Sequence, residues 1–422
     1  MFSRTRRMLP TAGLLLGVAM GLANVMGYVF VALVSATLGP ADFGGYSALN
    51  TYGILLAMPA GAFQVIVARR QTRTHRDQHR HVTGLGTSLV VGVVLAAITI
   101  ALAPLLRDLL RLETASSVVW LALMLPPMTV TGALQGVLLG REAYARLSLV
   151  YLVTAGTRLA AAGVAVGWRF DVAEVFAATF VASVATIGAA LALARRDLGA
   201  GTRAPRILEL LDDLVRSNVA LAGLMALSSL DVVLARTVLT DHDSGSYALA
   251  ALFGKVVFWG TQFVALAIVP ALADSRTGGQ VRTTLHRSAL GVLLIGSAVS
   301  IGCALFPGPL VALSGGSAFV DAEPLLVWAA VVGTLWAIVQ VWLFAGMSRG
   351  DHVMTVVVWF AAGVQAVLVL VAFNSSPYEI FATVGTTAGV VALIGLARVP
   401  RGGMTPAPDS AETAEALGMT RE

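Results

Sequence analysis

The sequence predicts an all-α polytopic membrane protein of about twelve transmembrane helices, arranged as two parallel-repeat six-helix lobes around a central cavity. Three observations carry that prediction. Of 422 residues, 57% are hydrophobic and only 12% charged, with a mean hydropathy of +0.83; such a composition suits a bilayer rather than water. The apolar residues gather in runs near the roughly 20 residues a helix needs to cross the hydrocarbon core. One short turn sequence also occurs twice, once in each half of the chain.

Taken in order, the runs cover 11–37, 44–68, 82–104, 117–140, 146–168, 172–194, 217–239, 245–273, 288–313, 324–347, 353–373 and 377–397. The first follows Arg4, Arg6 and Arg7. Its apolar stretch is too long for the core of a signal peptide, and no small-residue cleavage site closes it, so it reads as a true span. Pro59, Pro126, Pro127 and Pro270 interrupt the second, fourth and eighth runs, where each removes a backbone donor and favours a bend. Gly13, Gly17 and Gly21 on the first run, and Gly132, Gly136 and Gly140 on the fourth, recur at every fourth position. That spacing builds a ridge on which a neighbouring backbone approaches closely. Cys303 stands alone in an apolar run and reads as a small buried hydrophobe, which leaves neither a disulfide framework nor a thiolate metal site.

Orientation follows from the arginines. The N-terminus, the loops after even-numbered spans and the C-terminal tail hold 22 of them, whereas the opposite loops hold only Arg107, Arg111 and Arg169. This asymmetry places both termini in the cytoplasm. The net charge of +5 then has a topological cause and does not point to nucleic acid. The chain divides into an N-terminal lobe (1–194), a cytoplasmic linker with an amphipathic helix (195–216), a C-terminal lobe (217–397) and a disordered cytoplasmic tail (398–422). His75, His79 and His81 lie in a basic loop without carboxylate or thiol company, so they read as solvated, and no metal or other cofactor is expected.

Two halves of six spans invite a search for a repeat. A shift of 201 residues lays Leu38, Asp42, Gly44 and Tyr46 of LGPADFGGY on Leu239, Asp243, Gly245 and Tyr247 of LTDHDSGSY. Both copies fall in the outer turn after the first span of a half. Because six is even, the second half enters the membrane in the same sense as the first, and the repeat is parallel.

Charges inside the membrane are costly and by default functional. Three cations fall there: Arg158, Arg236 and Lys255, the only lysine in the chain. In DVVLARTVLTDHDSGSYALAALFGK, Asp231 and Lys255 lie equally far from a turn centred near 243, so they are expected to meet as an ion pair or gate. Arg158 either lines the cavity or bonds to backbone carbonyls within its lobe. Arg236 sits close enough to the turn to snorkel to the outer interface. Asn24, Asn50 and Gln64 are the strong polar side chains of the first two spans, and Glu174, near an outer end, is the nearest approach of an acid to the first six.

The LGPADFGGYSALN turn, its echo at SLDVVLARTVLTDHDSGSYALAALFGK, the twelve-span layout and the central linker together resemble the multidrug/oligosaccharidyl-lipid/polysaccharide (MOP) exporter superfamily. Within it the chain looks like the Wzx-like polysaccharide repeat-unit flippases. The resemblance spans essentially the whole chain, with its sharp motifs confined to the two hairpins. It implies a MATE/MOP-like V-shaped cavity and a flippase of the bacterial cytoplasmic membrane. That flippase would turn a polyprenyl-diphosphate-linked oligosaccharide from the inner to the outer leaflet by alternating access. Its partners would be the lipid-linked glycan and membrane lipid; coupling to H+ or Na+, and association with a glycan polymerase or glycosyltransferases, are compatible with it. Lipid II flippases carry charges in the first two spans and usually two further helices, which this chain lacks. An anionic headgroup calls for cations in the cavity, so the candidate substrate residues are Arg158, Lys255, Arg236, Asn24 and Gln64, with Asp231 and Lys255 as the gating pair. The alternative is a cation-coupled, MATE-like multidrug antiporter, although such exporters commonly keep an acid in the first lobe. An enzyme is not expected: the longest outer loop is about a dozen residues around 107–116, too short for a glycosyltransferase or ligase site. Gly254-Lys255 also lacks the upstream glycine of a phosphate loop.

Overall fold

The computed structural model describes residues 5–74, 84–198, 207–261, 278–348 and 351–398. Regular structure among them is entirely helical. The first half comprises α1 (Thr5–Leu56), α2 (Met58–Thr74), α3 (Leu85–Ala101), α4 (Ala103–Leu109), α5 (Ser116–Gly140), α6 (Tyr144–Trp168) and α7 (Val172–Ala194). The second comprises α8 (Ile207–Val238), α9 (Asp241–Gly260), α10 (Gly278–Leu305), α11 (Pro307–Ser314), a 3-10 turn (Ser317–Leu325), α12 (Leu326–Ser348), α13 (Val353–Val371) and α14 (Pro377–Ala397).

A straight α1 of 52 residues would extend roughly 78 Å, more than twice the hydrocarbon core. It does not run straight, because Gly39 adopts φ 70°, ψ 174° and breaks the helix. Tyr28 and Asn50, equally distant from Gly39 on either side, line one cavity, which requires the chain to reverse there. The positive φ explains the glycine in LGPADFGG. The third predicted run also bends: α3 and α4 meet at 60°.

Among the described residues, nine helices are long and apolar enough to cross a membrane, or ten with the bent pair, and the α1–α2 run counts as one of them. The predicted eighth run, 245–273, leaves the described residues after Thr261, as do Pro270, the His75, His79 and His81 cluster and the tail beyond Arg398. The helix expected in the linker is present, but it is continuous with the next span as a single α8 of 32 residues.

Helix packing repeats. In the first lobe α1 lies on α6, α2 and α3 on α5, and α5 on α7. In the second, α8 lies on α13, α9 and α10 on α12, and α12 on α14. The two lobes are therefore built alike, joined chiefly through α1 against α8 and α9. The glycine ridge on α5 is a true close contact. A Cβ at Gly132, Gly136 or Gly140 would come within 2.2, 2.6 or 2.7 Å of the carbonyl of Ala60, Gln64 or Ala68 on α2. Gly333, which the 201-residue shift lays on Gly132, presses equally on α9, its Cβ site 2.1 Å from the Gly254 carbonyl. The ridge expected on the first span differs: a Cβ at Gly17 or Gly21 would meet nothing within 4 Å, so no neighbouring backbone packs against those two glycines. Pro126 and Pro127 are absorbed inside an unbroken α5.

The contrast between the two ridges is measurable. Gly132→Val should cost at least the roughly 1–3 kcal/mol of an overpacked core, read as a lower unfolding temperature in detergent, whereas Gly17→Val should leave that temperature unchanged. Equal losses at both positions would contradict the packing described.

Candidate functional site

The two copies of the repeated turn meet each other. A Cβ on Gly245 would sit 1.8 Å from the Pro40 carbonyl, and one on Gly44 would sit 2.6 Å from Ser244 Oγ. Only glycines permit this approach of backbones at the lobe junction. Over the junction lies Arg236, 3% exposed. Its Nε donates to the Leu110 carbonyl (2.9 Å), Nη1 to Ala41 O (3.0 Å) and Ser244 Oγ (3.1 Å), and Nη2 to Arg111 O (3.1 Å). Nη1 also pairs with Asp241 Oδ1 at 3.2 Å. Arg111 replies from the other lobe, donating to the carbonyls of Arg236 and Leu239 and pairing with Asp241 at 3.1 Å. Each arginine thus satisfies carbonyls that the ending helix of the opposite lobe leaves without partners. Arg236 does not snorkel outward as its position in sequence suggested; the junction carbonyls hold it inside. Burial beside it raises the Asp42 carboxyl above its ordinary value, opposed by the Arg236 charge.

Away from this junction the lobes enclose a cavity of about 480 Å³ lined from α1, α6 and α9. It brings together Asn24, Arg158 and Lys255, with Tyr28, Asn50, Tyr151 and Trp259 around them. Arg158 comes from the first lobe and Lys255 from the second. The Arg158 guanidinium lies over the Phe30 ring at 5.1 Å, which fixes its plane, and its buried Nε has no hydrogen-bond partner. No carboxylate lines this cavity among the described residues. Gln64 faces a second cavity of about 230 Å³ inside the first lobe, which Arg158 and Thr154 also line. Its Nε2 donates to Tyr151 Oη at 2.8 Å, so Gln64 and Tyr151 partition the two spaces.

The expected Asp231–Lys255 ion pair is not made. Asp231, fully buried, accepts from Tyr247 Oη at 2.7 Å, its other oxygen has no partner, and no nitrogen–oxygen contact within 4.0 Å joins it to Lys255. The reason is where the turn falls. Thr240 caps α9, accepting from Asp243 N, so the helix already begins at Asp241. Reversal at 239–240 rather than 243 sets Asp231 opposite Tyr247 and leaves Lys255 two turns deeper, facing the cavity. Tyr247 stacks on Phe381 (4.2 Å) as its repeat counterpart Tyr46 packs on Phe176 (5.2 Å). Both tyrosines are buried core residues. Glu174 closes a capping box with Asp171 and is structural.

Sequence reasoning missed Arg111 at the junction and the aromatic lining of the cavity. One signal was available for the latter: Tyr28 falls in mid-span, away from the interfaces where membrane tyrosines collect.

A family model described as polysaccharide biosynthesis protein matches residues 12–276. No curated protein matches the sequence. Among solved structures, the chain is similar to an inward-facing multidrug resistance MATE family transporter of the MOP superfamily, with TM-score 0.71 and 14% identity, covering 92% of this chain and 98% of that one. It is similar to lipid II flippase MurJ in an inward closed conformation, with TM-score 0.71 and 8% identity, covering 92% and 87%. A MOP superfamily transporter from Pyrococcus furiosus, whose binding pocket is described as reversed in polarity, matches with TM-score 0.61 and 15% identity over 92% and 95%. These likenesses establish the two-lobed MOP fold.

Breaking the arginine clasp should loosen that junction. With Cys303→Ser as background, a cysteine replacing Ser246, which is 1% exposed, should react with a water-soluble maleimide at least about tenfold faster when Arg236→Ala is added, the rate expected from losing about 1.4 kcal/mol of closure. An unchanged rate would show that Arg236 does not hold the lobes together.

Proposed function

Since the chain belongs to the family of polysaccharide biosynthesis proteins, a group of MOP superfamily membrane transporters, we propose that it flips a polyprenyl-diphosphate-linked oligosaccharide from the inner to the outer leaflet of the bacterial cytoplasmic membrane. The observation that carries this reading is the cavity itself: Arg158 and Lys255 approach from opposite lobes and no described carboxylate joins them. A diphosphate is a dianion or more, and a fork-shaped guanidinium with a mobile ammonium opposite suits it. The same cavity disfavours a cationic drug, which would meet two positive charges and no acid on the described wall.

The reading also accounts for how the load is released. A half-buried guanidinium whose buried Nε is unpartnered gains from a phosphate oxygen and loses little when that oxygen departs, because Phe30 still covers it. Lys255, which feels Asp231 as a nearby charge without touching it, closes on the substrate only when the second lobe is near. With the repeated turns clasped on the predicted outer side, the cavity receives its headgroup from the cytoplasmic side, and transport requires the clasp to open.

Arg158→Ala should stop glycan export in a flippase-deficient strain at normal protein level, with lipid-linked intermediate accumulating. Arg158→Lys should recover part of it, since charge persists but the fork is lost. Removing hydrogen bonds to a charged group costs about 1.5–3 kcal/mol, a tenfold to hundredfold fall in export rate. Full complementation by Arg158→Ala, or a gain of resistance to toxic cations with no change in surface glycan, would refute the proposal.

A further inference from the structure

The cavity within the first lobe has a chemistry of its own. It is enclosed by α2, α5, α6 and α7 and presents Gln64, Thr131, Gln135, Thr179, Ser183 and Thr186. Every one of these is neutral, and the single charge on the wall is Arg158 at the border with the interlobe cavity. Hydrogen bonding divides them into two kinds. Thr179 and Ser183 on α7 spend their hydroxyl hydrogens on the carbonyls of Val175 (2.8 Å) and Phe180 (2.7 Å), so they offer lone pairs. Thr131 and Gln135, one turn apart on α5, make no side-chain hydrogen bond among the described residues and offer donors. Met124, Met128 and Ala57 complete the wall with apolar surface.

Neutral donors facing neutral acceptors across a narrow space, with apolar patches between, match a sugar ring, whose hydroxyls both donate and accept and whose C–H faces are apolar. An ion-coupling site would need an acid, and among the described lining residues there is none. Position adds the rest. Arg158 and Thr154 line both cavities, so a diphosphate held at Arg158 has its directly bonded sugar at the mouth of this pocket, beside the Gln64–Tyr151 bond.

We propose that the pocket inside the first lobe is a subsite for the first sugar of the lipid-linked glycan, and that it selects a neutral ring over an anionic one. The inference rests on the assignment of Arg158 to the diphosphate. A uronate here would bring a carboxylate into a desolvated space whose one cation is already engaged, a penalty that neutral donors do not cover. Two hydrogen bonds from Thr131 and Gln135 correspond to about tenfold in affinity.

Three lipids distinguish the parts of the argument when bound to the full chain in nanodiscs: polyprenyl diphosphate, the same lipid carrying one glucose, and the same lipid carrying one glucuronic acid. The wild type should hold the glucose lipid about tenfold more tightly than the other two. Thr131→Val with Gln135→Leu should erase that advantage while leaving the bare diphosphate bound as before, which also reports correct folding; Thr179→Val should erase part of it. Equal binding of all three lipids by the wild type, or a double variant that weakens the bare lipid as much as the glucose lipid, would overturn the subsite alone. Failure of the wild type to bind the bare diphosphate would overturn the Arg158 assignment and the subsite with it.

Discussion

A guanidinium buried between two membrane lobes must find acceptors there, because the alternative is an unpaired charge out of water. Arg236 finds them at the end of α4, at Ala41 after the Gly39 break, and at Asp241. Much follows from that requirement. The α4–α5 corner must present its carbonyls inward, and Arg111 takes φ 48° in doing so. The two repeated turns must lie close enough to share one arginine, and close approach leaves room only for glycine at 44 and 245. The glycines, the bent third span and the reversal at Gly39 therefore express one geometric condition at the junction.

The lobes are alike in packing and unlike in charge, and the second fact gives the cavity its direction. At the shift that superposes the turns, Phe30 stands where the second lobe has Asp231, and Ile54 where it has Lys255. Phe30 supports Arg158 from below its plane, whereas Asp231 is spent on Tyr247 inside the second lobe. Each lobe thus contributes one cation to the cavity wall by a different route, so the cavity is asymmetric. A headgroup with distinct diphosphate and sugar ends suits such a site better than a symmetric ligand does.

How much of this was legible depended on whether a feature is local. The helical class, the repeat and the α5 ridge rest on patterns along the chain, and they hold among the described residues. Facing is not local: Gly17 and Gly21 of α1 have the same spacing as the ridge glycines of α5, yet no neighbour comes to them. Asp231 and Lys255 show how small an error decides a contact. Placing the turn three residues late rotates and lowers α9 enough to exchange Tyr247 for Lys255 as the partner. Arg236 looked like an interfacial residue because its depth was read from sequence distance alone, while the burial comes from Arg111 and Leu110, more than a hundred residues away. The cavity within the first lobe had no sequence signature, since threonines and glutamines on four helices reveal a pocket only once the helices are assembled.

The clasp and the cavity also differ in how much water they see, and this decides which of them moves cheaply. Arg236 is buried, but its ionic partner Asp241 is half exposed, at 50% for the side chain. On opening, water reaches the arginine and the freed carbonyls together, so the hydrogen bonds are exchanged rather than lost, and the net cost of each is about 1 kcal/mol rather than the several of an abandoned buried charge. Arg158 and Lys255 have no such substitute inside the membrane. In the proposed cycle the ligand supplies the difference between the two arrangements, and inverting a two-state population from 1:99 to 99:1 takes about 5.5 kcal/mol of differential binding. Two charge-assisted contacts to a diphosphate, at about 1.5–3 kcal/mol each, reach that range, whereas a neutral ligand making ordinary hydrogen bonds falls short. The energetics of closure therefore favour an anionic headgroup as the load that drives the lobes from one arrangement to the other.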